Sequence, residues 1–581
     1  MTSLQVWAQP APAPVGSEFQ INVYTTGNQE SAAVAAAADG DFVVVWQSFG
    51  QDGSSDGVFG RRFSSVGAPV GPEFQVNTLT TDAQRHPAVA AESSGGFVVA
   101  WQSFGSDGAA DGISGQRYSS AGTPLGTEFQ VNTYATGYQT YPAVAADAGG
   151  DFVVVWQSGG QDGSSDGVFG RRYDSAGAAV GSAFQVNTYT TSGQRYPDVG
   201  ADADGAFVVV WQSAGQDHSL NGIFGQRYSS AGAPLGTEFQ VNSYSTSGQY
   251  LPAVGVDAEG AFAVVWQSNG QDGSLAGVFG QRFDSAGARV GTEFQVNTYT
   301  TNFQGNPDVS MDADGDFVVV WQSSGQDGSS IGVFGQRYDS TGNPFGTEFR
   351  VNTYTAGFQG TYGVASDAGG DFVVVWNSVS QDGTSGGIFG QRYDVPGDCP
   401  PAPLANCQDG WAVGSLLVKD EVSGKEKLVA KFLKGPQLAQ ADFGNPLSPA
   451  GTVYRLCIYA DGTPAGELKV DRAGDADCGS GADVCWKSIG PVPPAGKGYK
   501  YKDTVATASG IAKIMLKGGA VGQSKVLVVG KGPLLQLGIP AALTNATSVT
   551  IQVFGDPAPQ CFSATLTDVK KQESGFFKAH K

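Results

Sequence analysis

Three histidines stand in 581 residues, His86, His218 and His580, and none adjoins a nucleophile motif, so the chain's reactive groups are mostly carboxylates. One series of them, Asp52, Asp107, Asp162, Asp217, Asp272, Asp327 and Asp382, recurs in QDG-type loops. An Asp before Gly commonly bonds its own backbone in a turn. Calcium would need further oxygens from the same loop, and the nearest candidate changes through Asp56, Asp111, Asp166, Asn221, Ala276, Ile331 and Gly386. A second set, Asp312, Asp314 and Asp316, places three carboxylates around a glycine, which suits a hairpin turn or a cation. Asp52, Asp107, Asp162, Asp312, Asp314 and Asp316 are therefore the candidate calcium ligands, with turn formation the preferred reading. No other cofactor is implied.

A different set points to ligand binding. Gln29, Gln84, Gln139, Gln194, Gln249, Gln304 and Gln359 recur beside aromatic and Asn positions, and the residues after them vary. These include Arg85 and His86, Thr140 and Tyr141, Arg195 and Tyr196, and Tyr250 and Leu251. Polar groups beside ring faces suit sugar hydroxyls and sugar faces. The candidate ligand residues are the seven glutamines with Arg85, His86, Tyr141, Arg195, Tyr196 and Tyr250. Catalysis requires one nucleophile or acid–base pair in one cleft. Because each repeat has the same length and nearly the same polar set, the chain is expected not to be an enzyme.

These residues are carried by a repeat. Trp46, Trp101, Trp156, Trp211, Trp266, Trp321 and Trp376 are each 55 residues apart, with no insertion. Phe42, Gly60 and Arg62 recur at the same interval. Four strand-like runs fit in one period, for example 142–148, 151–158, 167–174 and 183–189, separated by Gly, Asp and Ser clusters. The second run is apolar at successive positions, so both of its faces are buried. Helical solenoids are excluded by the lack of a 3.6-residue pattern, and four strands in each of seven repeats predict a closed seven-bladed β-propeller.

The last repeat stops near Pro396 without a fourth strand, while EFQIN at 18–22 matches that strand and precedes the first repeat. The N-terminal segment is thus expected to complete blade seven and close the ring. Trp46 and its equivalents should pair with Phe59 and its equivalents across the second hairpin. The Arg62 series should bond carbonyls or carboxylates between blades. With the first strand lining the channel, the loops after the second and fourth strands share the face where function is expected.

Composition separates a second domain. Residues 1–397 hold 13 Arg, no Lys and 38 Asp plus Glu, a net charge of −25, whereas residues 398–581 carry +4. The first part should repel phosphate backbones, so neither nucleic acid nor membrane insertion is expected. The domains expected are the propeller at 1–397 and a β-sandwich-like domain at 398–581. The latter has an internal pseudo-duplication, with halves at about 410–490 and 500–581, in which 416–438 parallels 514–537. All six cysteines lie in it without a CxxC pair, which favours disulfides in an oxidising compartment. A local Cys478–Cys485 link is expected, with Cys399–Cys407 and Cys457–Cys561 as further pairings among the 15 possible. The first residues lack a signal-peptide layout, so a secreted form is expected to have lost its signal.

The segment CWKSIGPVPPAGKGYKYKD at 485–503 resembles a signature in a C-terminal domain of many secreted bacterial proteins. The EFxVNT, FVVVWxS, QDG and FGQRY elements are similar to repeats of large bacterial extracellular proteins. Together the two resemblances span nearly the whole chain and imply architecture and an extracellular location, with no defined activity. Acidic calcium-binding nonapeptides, present in many such proteins, are missing. The function expected is non-catalytic binding or adhesion, with the propeller face presented multivalently to glycan or extracellular protein. Self-assembly into an extracellular layer or fibre, and a polysaccharide hydrolase or lyase, are the alternatives.

Overall fold

The computed structural model describes residues 12–395, apart from 66, 107, 109, 314 and 384. Beyond them it describes 407, 409–419, 427–440, 443, 453–461, 463–470, 486–489, 497–502, 511–531, 543, 546–556, 561–573 and 576–581. Two compact units result, Met1–Val395 and Pro396–Lys581. No described residue lies in an α-helix, and none of the described segments forms a helix able to cross a membrane.

The first unit is a seven-bladed β-propeller of four-stranded antiparallel sheets. Blade 1 runs through strand a at Gln29–Ala36, b at Phe42–Phe49, c at Asp56–Phe63 and d at Phe74–Gln75. Strand b is buried along nearly its whole length because its two faces serve two different cores. Val43 and Val45 pack with Phe97 and Trp101 of blade 2, while Val44 and Trp46 pack with Val373 and Val375 of blade 7. Each such side chain contributes roughly 1.5–3 kcal/mol when fully buried. Trp46 pairs with Phe59 as expected, and blade 2 is the exception, with Trp101 opposite Ser114. The glycine after each such Phe has a steric cause. A Cβ on Gly225 would lie 2.8 Å from the ring of Phe239 on strand d.

Blades are linked by a repeated guanidinium bridge. Arg172 Nη1 donates to Ala231 O at 2.8 Å and Nη2 to Ser230 O, both in the next blade's c–d turn. Arg62, Arg227 and Arg282 repeat this on their own neighbours.

Closure uses the chain's beginning. In blade 7 the sheet order places Ala13–Gln20 beside Gly387–Asp394, with Phe19 opposite Gly390. Glu18 Oε2 accepts from the backbone N–H of Thr353 at 2.6 Å, and Oε1 accepts from Gln381 Nε2. Glu73, Glu238, Glu293 and Glu348 make the same pair of bonds within the ring. The terminus therefore supplies a complete fourth strand, side-chain contacts included.

The second unit has two β-sheets over one core. The larger contains the hairpin Val413–Lys419 and Lys427–Gly435, and the hairpin Ile511–Lys517 and Ser524–Lys531. These two hairpins meet edge to edge through Lys427–Gly435 and Ser524–Lys531. In the smaller sheet, Val453–Ala460 pairs with Val549–Asp556. Leu416, Phe432, Ile458, Leu516 and Ile551, drawn from both sheets, share the core. Within the 485–503 signature, Trp486, Tyr499 and Tyr501 are buried in this core, and Lys500 and Lys502 alternate outward.

The disulfides differ from the expected pairings. Cys407 is bonded to Cys561, 154 residues away, which displaces both Cys399–Cys407 and Cys457–Cys561. Cys407 precedes the first strand of the larger sheet and Cys561 opens a strand of the smaller one, so the bond joins elements that local spacing separates. Cys457 is also disulfide-bonded, to a cysteine outside the described residues. Cys399, Cys478 and Cys485 lie there as well.

Candidate functional site

Seven strands a line a central channel, and its two ends differ. At their C-terminal ends a cavity of about 250 Å³ is bounded by the a–b turns of all seven blades, including Glu92, Asp147, Asp202, Asp257, Asp312 and Asp367. These carboxylates are turn-formers. Asp147 Oδ1 accepts from Gly149 N and Asp151 N, and Asp312 Oδ1 accepts from Asp316 N at 3.0 Å. Asp316 in turn accepts from Ser340 N at 2.7 Å in the c–d hairpin.

The QDG loops behave likewise. Asp52 Oδ1 accepts from Ser54 N at 3.1 Å and Oδ2 from Asn77 Nδ2 at 3.3 Å; Asp162 does the same with Ser164 and Asn187. Asp107 and Asp314 lie outside the described residues. Among the described residues no group of three or more metal-ligating side chains occurs.

The seven glutamines are where the expectation of a ligand surface fails. Gln29, Gln84, Gln139, Gln194, Gln249, Gln304 and Gln359 are all 0% exposed. Gln84 Nε2 donates to Thr81 O and its Oε1 accepts from Asn77 Nδ2, while Asn77 Oδ1 accepts from Val58 N at 2.8 Å. Six blades have this Asn–Gln linkage, which holds the d–a loop onto strand c; in blade 6 Gln304 bonds Thr301 O and Ser323 Oγ instead. These amides touch no surface because a buried amide in a loop must be satisfied internally.

Variation between blades follows each glutamine, at the channel's other mouth. Strand a is bulged there, with a register shift between Arg195 and Asp198 in blade 4 and its equivalents elsewhere. Ser31, His86, Tyr141, Tyr196, Leu251 and Asn306, one from each of blades 1 to 6, all have φ between 48 and 51°. A left-handed conformation costs a non-glycine residue about 1–2 kcal/mol. In five blades the next residue is proline, Pro87, Pro142, Pro197, Pro252 and Pro307, which itself favours an extended conformation before it. Proline tolerates the bulge because no ladder N–H is required of it.

The bulged side chains form a one-sided arc. Half-buried His86 and Tyr141 lie with ring centroids 4.7 Å apart, and Tyr141 and Tyr196 repeat that spacing. Leu251 continues the arc in blade 5. The equivalent positions in the other blades are small or polar, Ser31, Asn306 and Thr361, and beside the last two Gly305 and Gly360 leave room for the rings of Phe303 and Phe358. Two arginines flank the rings and are neutralised: Arg85 Nε meets Asp56 at 2.6 Å and Arg195 Nε meets Asp166 at 2.5 Å. Asp166 also accepts from the Tyr138 hydroxyl at 2.6 Å. Within the changing series from Asp56 to Gly386, the acids at Asp56 and Asp166 are thus explained by the arginine that the following blade supplies. Tyr250 is half-buried beside this rim.

Burial sets the ionisation of the arc. Desolvation and then the Arg85 charge lower the His86 pKa, so its imidazole is neutral at neutral pH. Desolvation, the neighbouring Tyr196 and a hydrogen bond to it raise Tyr141. Two residues along from Tyr196 and Asn306, Asp198 and Asp308 reach the next blade, accepting from Val254 N and Val364 N at 2.8 Å each. Sequence reading passed over both, although five blades have Ala33, Ala88, Ala143, Ala253 or Gly363 at that position. Comparing blades for their odd residue, instead of their shared ones, is the signal that finds them.

No protein-family model matches the chain, and no curated protein matches it. Solved structures resemble it in fold. A protein of unknown function from Dyadobacter fermentans is 9% identical with a TM-score of 0.41, over 66% of this chain and 99% of its own. The propeller domain of the Trilobed protease from Pyrococcus furiosus is 9% identical with a TM-score of 0.39, over 64% of this chain and 94% of its own. An endo-arabinase from Bacteroides thetaiotaomicron is 12% identical with a TM-score of 0.25, over 42% of this chain and 90% of its own. The expectation that the chain is no enzyme is corrected here. Propellers of this kind include enzymes by title, and the blade equivalence behind that expectation is broken at the channel mouth.

Proposed function

We propose that the propeller binds a glycan in a single composite site at the mouth built by His86, Tyr141, Tyr196 and Leu251. The observation that carries this reading is the unbroken run of half-buried rings, 4.7 Å from centroid to centroid, on consecutive blades. Ring faces accept the C–H faces of sugars, and the Arg85–Asp56 and Arg195–Asp166 pairs offer donors and acceptors for hydroxyls. Because both guanidinium charges are matched by carboxylates, the rim suits a neutral ligand better than a phosphate. One site per chain replaces the seven equivalent sites that the repeat alone suggests.

A secreted protein is the setting in which this site has access to polysaccharide, and the Cys407–Cys561 bond supports an oxidising compartment. The test is affinity electrophoresis against arabinan, xylan, mixed-linkage β-glucan, pectin and starch, followed by calorimetry on the best oligosaccharide. A stoichiometry near one is expected, with Tyr141→Ala and Tyr196→Ala each weakening binding about tenfold, from about 1.4 kcal/mol of ring contact. Retention of every polysaccharide's affinity in the double variant would refute the site.

A further inference from the structure

The larger sheet of the second unit has two unlike faces. Along Lys427–Gly435, Ser524–Lys531, Ile511–Lys517 and Gly498–Lys502, which are neighbours in that order, residues alternate between the core and the outside. Phe432, Val526, Val528, Ile514 and Leu516 are buried in the core shared with the smaller sheet. The opposite face is basic. Lys427 lies directly across from Lys531, Lys525 from Lys517, and Lys513 from Lys502. Lys525 is half-buried and the other five are exposed. These four strands contain no Asp or Glu.

Like charges placed directly opposite on a sheet are destabilising. A face that needed only to be soluble would set Lys against Glu or Thr and gain from the cross-strand pair. Aliphatic side chains lie among these lysines. Half-buried Leu527 stands between Lys431 and Met515 on the neighbouring strands, and half-buried Val529 between Val429 and Lys513. Neighbouring strands are about 4.8 Å apart and alternate residues about 6.6 Å apart along a strand. Ammonium groups and aliphatic patches therefore interleave on the scale of one sugar ring.

We propose that this face docks an acidic polysaccharide, whose uronate carboxylates meet the lysines while its sugar rings lie on Leu527, Val529 and Met515. Charge complementarity selects a polyanion, and the rest of the unit selects its kind. Single-stranded nucleic acid is held on aromatic platforms, whereas Trp486, Tyr499 and Tyr501 of this unit are all buried in its core. The Cys407–Cys561 bond joins the same unit and favours an oxidising compartment, where polysaccharide is the polyanion at hand. The proposal does not rest on the propeller mouth, whose neutralised arginines suit an uncharged glycan.

The test is affinity electrophoresis of the full chain in polygalacturonate gels, with calorimetry at about 50 and about 200 mM salt. Binding is expected, weakening at least about tenfold over that range, because each lysine contact releases counterions from the polyanion. Combining Lys502→Gln, Lys513→Gln, Lys517→Gln and Lys525→Gln should weaken binding about tenfold or more at the lower salt, and Lys→Arg at the same four positions should retain it. Removing two like-charge pairs should leave the second unit's thermal midpoint unchanged or higher. The Tyr141→Ala, Tyr196→Ala double variant should bind polygalacturonate like wild type, which separates this face from the mouth. No binding of polygalacturonate at the lower salt, or equal binding by the glutamine variant, overturns the proposal. Tighter binding of a DNA duplex than of polygalacturonate at the same salt overturns the choice of partner. Salt-reversible self-association that the glutamine variant loses also overturns it, and would make the acidic propeller of a second copy the occupant.

Discussion

Replacing Asp308 by asparagine should stabilise the propeller at pH 8 and leave it unchanged at pH 3.5. The folded chain holds this carboxyl at about 7 against an ordinary value of 3.8, chiefly by desolvation. A folded pKa above the unfolded one means that the native state binds the extra proton between these values. Its stabilising contribution is complete below 3.8 and is lost as pH rises to about 7. About three units at 1.36 kcal/mol each make the ionised side chain on the order of 4 kcal/mol unfavourable at pH 8. Part of this is the Asp198 charge, so the two variants are not additive. Roughly 380 propeller residues at about 2.1 cal/mol/K each give about 0.8 kcal/mol/K, so the midpoint should rise by about 5 °C. Scanning calorimetry of the propeller transition at both pH values makes the comparison. Equal midpoint differences at pH 8 and pH 3.5 would refute the argument, since a packing effect has no reason to follow a proton.

Three further outcomes follow from the fold. Deleting residues 1–20 removes the strand paired with Gly387–Asp394 and bares that edge, so size-exclusion chromatography should show loss of monomer to aggregate. Arg172→Lys keeps the charge but cannot reach both Ala231 O and Ser230 O, and should cost about 1 kcal/mol in the propeller's chemical denaturation. Cys407→Ser opens a loop of 154 residues, which should lower the second unit's stability by about 4–5 kcal/mol while the propeller transition stays in place.

The ring itself was legible because its determinants repeat. Trp46 and its six equivalents, the doubly buried strand b and the EFQIN segment each state the same geometry, and Phe19 lies opposite Gly390 as that geometry requires. The Arg62 bridges followed from the same logic, since a guanidinium between blades needs oxygens. The glutamines misled because a polar residue in a Gly- and Ser-rich loop reads as surface. Their 0% exposure shows that an amide repeated in every blade is holding the blade together. Calcium-like carboxylates such as Asp52 and Asp312 are bound by their own turns, as Asp–Gly chemistry allows. Cysteine pairing depended on which sheet each strand joined, and spacing along the chain carries no information about that.

What remains after the repeated features are removed lies almost entirely in one place. Two charge-neutralised arginines, a run of rings and two desolvated carboxylates all fall on strands a at one end of the channel. Both carboxylates are less favourable at neutral pH than the Ala33 or Gly363 that other blades use. A scaffold would be more stable with its most favourable blade copied seven times. Departures that lower stability and cluster in space are what the glycan site proposed for this mouth would require. The asymmetry of the mouth, with the His86, Tyr141 and Tyr196 rings on blades 2 to 4, would also give the proposed ligand one orientation in a ring that otherwise offers seven.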